Sequence, residues 1–178
     1  MLRDALLIVA FGVSMAVGVP QDSPLEKEVA RLGVPEKLQV KDKRALFMFR
    51  AEGVQVYEGQ EKDGKLEWVL QFPKADLFDY VTGEKVGTHE KKDGSPIWSD
   101  TKGSVLTGTK KADSPSPNAG AIAWLLLDAK CETGGRFEKV TSIQRVDTWA
   151  GKAPSVAPKK GDTIQVKYEA TYVFLGGE

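Results

Sequence analysis

The chain has 178 residues, with Lys plus Arg and Asp plus Glu equal at 25 each. That length suits one domain able to bury roughly two thirds of its unfolded surface without staples. The neutral balance removes the bulk electrostatic drive toward nucleic acid or an anionic membrane, so no nucleic-acid partner is expected.

The chain opens MLRDALLIVAFGVSMAVGVPQDS, with Arg3 ahead of an apolar run from Ala5 to Val17 and small residues Ala16 and Gly18 after it. This is the layout of a cleaved signal peptide, residues 1–18, and predicts an exported protein, periplasmic or secreted. As a helix the run would reach only about 20 Å, short of the roughly 30 Å hydrocarbon core, so no stable membrane span is expected after signal removal. Residues 19–43 form a polar, Pro-containing leader in which PLEKEVARLGVPEKL predicts one short helix ending at Gly33.

From residue 44 to 178 the period changes to two. ALFMFRAEGVQVYEG and LEWVLQF are rich in aromatic and β-branched residues and predict strands. Between them lies GQEKDGK, with the G-x-x-x-x-G-K spacing of a phosphate loop. That reading fails because Leu66 follows Lys65, a strand pattern comes next, and Glu58, Glu61 and Asp63 would repel phosphate. Asp63 and Gly64 instead predict a hairpin tip. KVGTHEK, SVLTGTK, AIAWLLLDA and FEKVTSIQRV are shorter strand candidates, while KKADSPSPNAG reads as an exposed loop. The C-terminal TIQVKYEATYVFL alternates most clearly. Ile164, Val166, Tyr168, Ala170, Tyr172 and Phe174 share one phase, which predicts a long antiparallel strand with one wet face. The fold class expected is mainly β: an antiparallel sandwich or barrel-like single domain with a short N-terminal helix or extended leader.

Few residues point to chemistry. His89 is the sole histidine and Cys131 the sole cysteine, so an internal disulfide is excluded and Cys131 is expected to be a partly buried thiol. No G-x-S-x-G elbow or G-x-G-x-x-G occurs, and neither a metal nor a cofactor is expected. Acidic pairs such as Asp76 with Asp79 read as solvated surface. Of four tryptophans, Trp68 and Trp124 fall within apolar strands and are expected in the core. Trp98 and Trp149 stand at strand ends beside turn residues, where exposure is expected and where aromatic rings suit a binding site.

The ordered blocks AEGVQVYEG, LEWVLQFPKADLFD, VGTHEKKDGSPIWSDTKGSVLTG, IAWLLLDA, VTSIQRVDTWAGKAP and YEATYVFL resemble the family called domain of unknown function 3455, from about residue 34 onward. The resemblance implies an exported, mainly β domain with no assigned catalytic residues. It also implies a disulfide joining a Cys after the G-V-Q-x-Y block to one after the T-x-G-G-x-x-P block. Here Glu58 and Gly59 stand at the first place and Val156, Ala157 and Pro158 at the second, and the family's G-G appears as Ala150 and Gly151. His89, Pro96 and Trp98 match block positions. The candidate binding residues are therefore His89, Trp98 and Trp149, in a non-catalytic module whose partner is a small molecule, glycan or envelope component. The alternative is a hydrolase using His89 with nearby carboxylates or hydroxyls.

Overall fold

A computed structural model describes residues 23–177; the signal segment lies outside the described residues. Eight strands run β1 Arg44–Lys62, β2 Lys65–Asp79, β3 Lys85–Lys92, β4 Ser95–Asp100, β5 Val105–Ser114, β6 Trp124–Cys131, β7 Ser142–Ala150 and β8 Thr163–Gly176. Each pairs antiparallel with the next, and β1 pairs with β8, so the sheet closes into an up-and-down barrel. The β1–β2 and β3–β4 connections are Asp-Gly turns. Asp63 (φ 51°), Gly64 (φ 74°), Asp93 (φ 49°) and Gly94 (φ 84°) all take the left-handed backbone that two-residue hairpins require.

The leader holds α1, Pro24–Arg31, followed by a 3-10 turn at Glu36–Leu38. The Glu26 amide donates to Ser23 Oγ and the Ser23 amide donates to Glu26 Oε2, while Pro24 occupies the first turn, so the helix start is fully specified locally. Leu25, Val29 and Leu32 recur at helical spacing and pack on an outer patch of the barrel made by Met48, Trp124, Leu126, Val146, Val173 and Leu175. The wet outer face expected on β8 holds at Thr163, Gln165, Lys167 and Glu169, which are exposed, but ends there: Thr171 is buried, and Val173 and Leu175 lie beneath the leader. Trp124 is buried as expected, but in this outer layer, whereas Trp68 is half-buried and donates its Nε1–H to the Val156 carbonyl. FEKVTSIQRV is strand only from Ser142; its start belongs to a 3-10 turn, Gly135–Phe137.

The barrel interior has two unlike ends. At the end where β1 begins, Phe47, Phe49, Phe137 and Phe174 pack with ring centroids 4.8 to 6.5 Å apart, filling the bore. The 3-10 turn caps this end. The Arg136 guanidinium lies 4.9 and 4.6 Å from the Phe47 and Phe49 ring centroids and pairs with Asp79 at 3.1 Å. Partial burial pushes the Asp79 carboxyl up, but the Thr82 and Val81 amides and Arg136 outweigh it and hold it below its ordinary value. Asp76 pairs instead with Lys85, so the two acids serve separate ion pairs.

At the opposite end the wall is uneven. β2 and β3 pair only from Phe78–Lys85 to Ala75–His89, and β4 and β5 only from Ile97–Thr107 to Ser99–Val105. The short β3–β4 hairpin therefore leaves a notch beside the long β1–β2 hairpin. Across the barrel, the two places at which the family's cysteines would fall lie against each other. An ideal Cβ on Gly59 would sit 2.7 Å from Pro158 Cβ and 2.2 Å from the Lys159 carbonyl oxygen. Two backbone hydrogen bonds, from Gly59 N–H to the Asp162 carbonyl and from Gly161 N–H to the Gly59 carbonyl, fix that approach at 2.8 Å each. Close backbone packing stands where a bridge would. We expect Gly59→Ala to lower unfolding free energy by about 2 kcal/mol through forced separation of these segments, measured by urea denaturation; a change within experimental error would contradict the contact.

Candidate functional site

Above the phenylalanine plug the bore is hollow, with a cavity of about 410 Å³ that opens at the notch between Leu70 and Pro73 on one side and Gly94–Pro96 and Lys110 on the other. Its walls are mostly apolar, from Leu70, Pro73, Pro96, Leu125 and Leu127; its inner polar side chains are Gln55, His89, Trp98, Arg145 and Tyr172, with Ser95, Thr109 and Lys110 at the exposed rim. Strand alternation places each of these. Gln55 follows Phe49, Ala51 and Gly53 on the inward phase of β1, and Arg145 follows Ile143 on that of β7.

His89 and Trp98 are directly opposed across β3 and β4. Their rings stack with centroids 4.2 Å apart and 13° from parallel, and Tyr172 meets both edge-on at 5.2 and 5.4 Å. Trp98 is 1% exposed, against the expectation of exposure, because the β3–β4 register turns it into the bore instead of outward at a strand end. His89 Nδ1 lies 2.8 Å from the Ile97 carbonyl oxygen. A carbonyl only accepts, so that nitrogen carries the proton and donates. Burial pushes the imidazole pKa down to about 3, the Ile97 hydrogen bond opposing it and the Arg145 charge adding to it.

Trp149 is 58% exposed on the outer wall beside Glu52, Val54 and Lys167, remote from this cavity. The structure thus joins His89 with Trp98 and leaves Trp149 apart. Just before the neighbouring loop, Ala150 adopts φ 52° and Gly151 φ 89°, and the Gly151 carbonyl accepts from the Tyr57 hydroxyl at 2.7 Å. Cys131 is partly buried, with its sulfur 3.2 Å from the Gly134 amide. Among the described residues no three His, Cys, Asp or Glu side chains converge as metal ligands would.

The residues that sequence reasoning passed over are Gln55, Arg145 and Tyr172. Both polar atoms of the Gln55 amide and the Trp98 indole N–H are buried without a hydrogen-bond partner in the protein, while the Tyr168 and Tyr172 hydroxyls have only each other and Arg145 for polar company. Such groups cost free energy unless something satisfies them, and Gln55, Trp98 and Tyr172 line the same cavity, which marks it as a site. Burial pushes the Tyr168 phenol well above its ordinary value, and likewise raises Tyr172 and Tyr57 despite the opposing Arg145 charge. All three phenols are neutral near pH 7. Arg145 donates through Nε and Nη2 to the Ala123 carbonyl at 3.2 and 2.9 Å.

A family model described as protein of unknown function, DUF3455, matches residues 40–176. The chain belongs to this family. No curated protein and no solved structure matches it. The match spans all eight strands and begins between the helix of the leader and β1.

The depressed His89 pKa gives a pH signature. The unfolded imidazole titrates near 6.5 and the folded one near 3, so the unfolded chain binds the extra proton first. Stability from this group is complete above about pH 6.5 and is lost as pH falls toward 3. Between pH 7 and pH 5 the wild type should lose about 2 kcal/mol more than His89→Phe, measured by urea denaturation at each pH. Parallel pH profiles for the two proteins would show that the imidazole is not buried.

Proposed function

We propose that the protein is an exported, non-catalytic binding module that holds a small molecule inside the barrel. The observation that carries this reading is the cavity of about 410 Å³, whose apolar walls surround several buried polar groups that the protein itself leaves unsatisfied. A hollow of that size, mostly apolar with a few convergent polar groups, has the composition of small-ligand sites, and eight-stranded barrels are wide enough to enclose one such ligand. The cavity runs in from a rim of exposed Leu70, Ser95 and Lys110 to buried His89 and Trp98, a depth that suits a small molecule better than a protein surface among the partners considered. A groove of about 430 Å³ also runs between α1 and the barrel, where the buried Gln144 amide donates to the Leu38 carbonyl at 2.7 Å and leaves its Oε1 without a partner.

The hydrolase alternative depends on His89, and its surroundings give that idea no support. Its Nδ1 is committed to a backbone carbonyl, no carboxylate or hydroxyl is hydrogen-bonded to it among the described residues, and a pKa near 3 makes a feeble base at neutral pH. Export is supported by the sequence of the first 18 residues. Among the described residues no helix is long and apolar enough to cross a membrane.

Two measurements test the reading. The neutral fluorescent probe N-phenyl-1-naphthylamine should bind the wild type with one-to-one stoichiometry, and Leu125→Trp, which places an indole in the cavity, should weaken it by at least about tenfold. Equal binding to both proteins, or none to the wild type, would refute an internal site. Expression of the full chain in a bacterial host should yield protein outside the cytoplasm whose N-terminus begins near Val19, read by mass spectrometry; an intact Met1 in the cytoplasmic fraction would refute export.

A further inference from the structure

The cavity is charged in one sense only. Arg145 is its interior cation, Lys110 stands at the exposed rim, and no Asp or Glu lines it. Arg145 is in no ion pair among the described residues; it donates to one neutral carbonyl and stands against the Tyr172 hydroxyl, with no carboxylate facing it. A half-buried guanidinium ordinarily faces a carboxylate or phosphate, whose paired oxygens match its fork of N–H groups. Around it the hydrogen-bonding groups are weighted toward donation. The Trp98 indole donates only and the Gln55 amide can donate, neither with a protein acceptor, while the Tyr172 hydroxyl beside Arg145 has a proton to turn toward a ligand. Arg145 and Tyr172 are directly opposed across β7 and β8, so their side chains rise side by side on the inner face.

We propose that the cavity takes a small apolar monocarboxylate, its head group on Arg145 and Tyr172 and its body along Leu70, Pro96 and Leu125. A carboxylate offers two oxygens and about four lone-pair directions, which is the acceptor capacity these donors lack. The single interior cation sets the ligand charge at one, since His89 has spent its Nδ1 proton on Ile97 and is neutral. The stacked His89–Trp98 pair supplies a flat wall, so an aromatic body and an alkyl body both fit. The assignment rests on the cavity being a ligand site at all, and the experiment separates the two ideas.

Isothermal titration of the folded protein with two matched series distinguishes them: cinnamate, cinnamyl alcohol and cinnamylamine, and octanoate, octanol and octylamine. The carboxylate of at least one series should bind tenfold or more tighter than its alcohol, with the amine weakest, and Arg145→Met should reduce the carboxylate to the level of the alcohol. Gln55→Leu should weaken the carboxylate severalfold, and serves where Arg145→Met does not fold. Which series wins tells an aromatic from an alkyl ligand. Alcohol and carboxylate binding equally, both blocked by Leu125→Trp, would overturn the carboxylate assignment while leaving the internal site standing. Preference surviving in Arg145→Met would overturn it too, as would no binding by any member. A site that takes N-phenyl-1-naphthylamine but none of these acids then survives as a site of another chemistry.

Discussion

Pairing of the first strand with the last is the constraint on which everything else depends. β1 lies against β8 from Arg44 opposite Gly176 to Glu58 opposite Thr163, one of the two longest ladders with that of β1 and β2, each broken by a single register shift. Closing the sheet removes its edges, so backbone donors and acceptors along both strands are satisfied without a second sheet. It also sets the phase of the side chains. A slip of one residue would carry Tyr172 and Phe174 out to the leader and bring Thr171 and Val173 into the bore. The buried outer patch under α1 and the buried inner phase together make that slip costly on both faces.

Closure creates one interior, and the residues divide it by polarity. Four phenylalanines fill the end capped by the Gly135–Phe137 turn, with Arg136 covering their edge. Gln55, Trp98 and Tyr172 line the rest, and the Gln55 amide and the Trp98 indole N–H are left unpaired in the protein. Each such group costs roughly 1–3 kcal/mol when nothing satisfies it, so this half of the barrel is stabilised less than its size suggests. The aromatic plug and the leader offset that cost. A domain that concentrates its packing at one end and its unpaired donors at the other has the division of labour expected of a container: a rigid base and a lining that a guest completes.

Much of this was legible in the sequence and some was not, for identifiable reasons. The period-two pattern of TIQVKYEATYVFL and the Asp-Gly punctuation specified strands and hairpins, because both signals are local. Choosing a barrel over a sandwich required knowing that β1 meets β8, which is a pairing between residues more than a hundred positions apart. The dry C-terminal end of the outer face of β8 was hidden for the same reason: burial of Val173 and Leu175 comes from Leu25, Val29 and Leu32. His89 and Trp98 were singled out as neighbours in one sequence block, yet their stacking depends on cross-strand register, and the turn beside Trp98 suggested exposure instead. Gln55 and Arg145 did leave a signal. Each is a polar residue on the strand phase otherwise occupied by apolar ones, Phe49 and Ala51 before Gln55, Ile143 before Arg145. Polar residues on an inward phase are the trace a lined cavity leaves in a β sequence.

The two basic side chains of the interior illustrate how one cavity can hold opposite protonation behaviour. His89 lies deep, stacked flat on an indole, with one nitrogen tied to a carbonyl; adding a proton would place charge where only ring faces surround it, so the neutral form wins. Arg145 sits half-buried between β6 and β8, its guanidinium delocalised, weakly hydrated and anchored on the Ala123 carbonyl. The imidazole therefore works as a flat, neutral wall and the guanidinium as the fixed charge of the bore. Exchanging their depths would reverse the balance, since a guanidinium at the position of His89 would be stranded among ring faces and an imidazole at the position of Arg145 would titrate with solvent. Strand order and register, more than residue identity, assign each base its role.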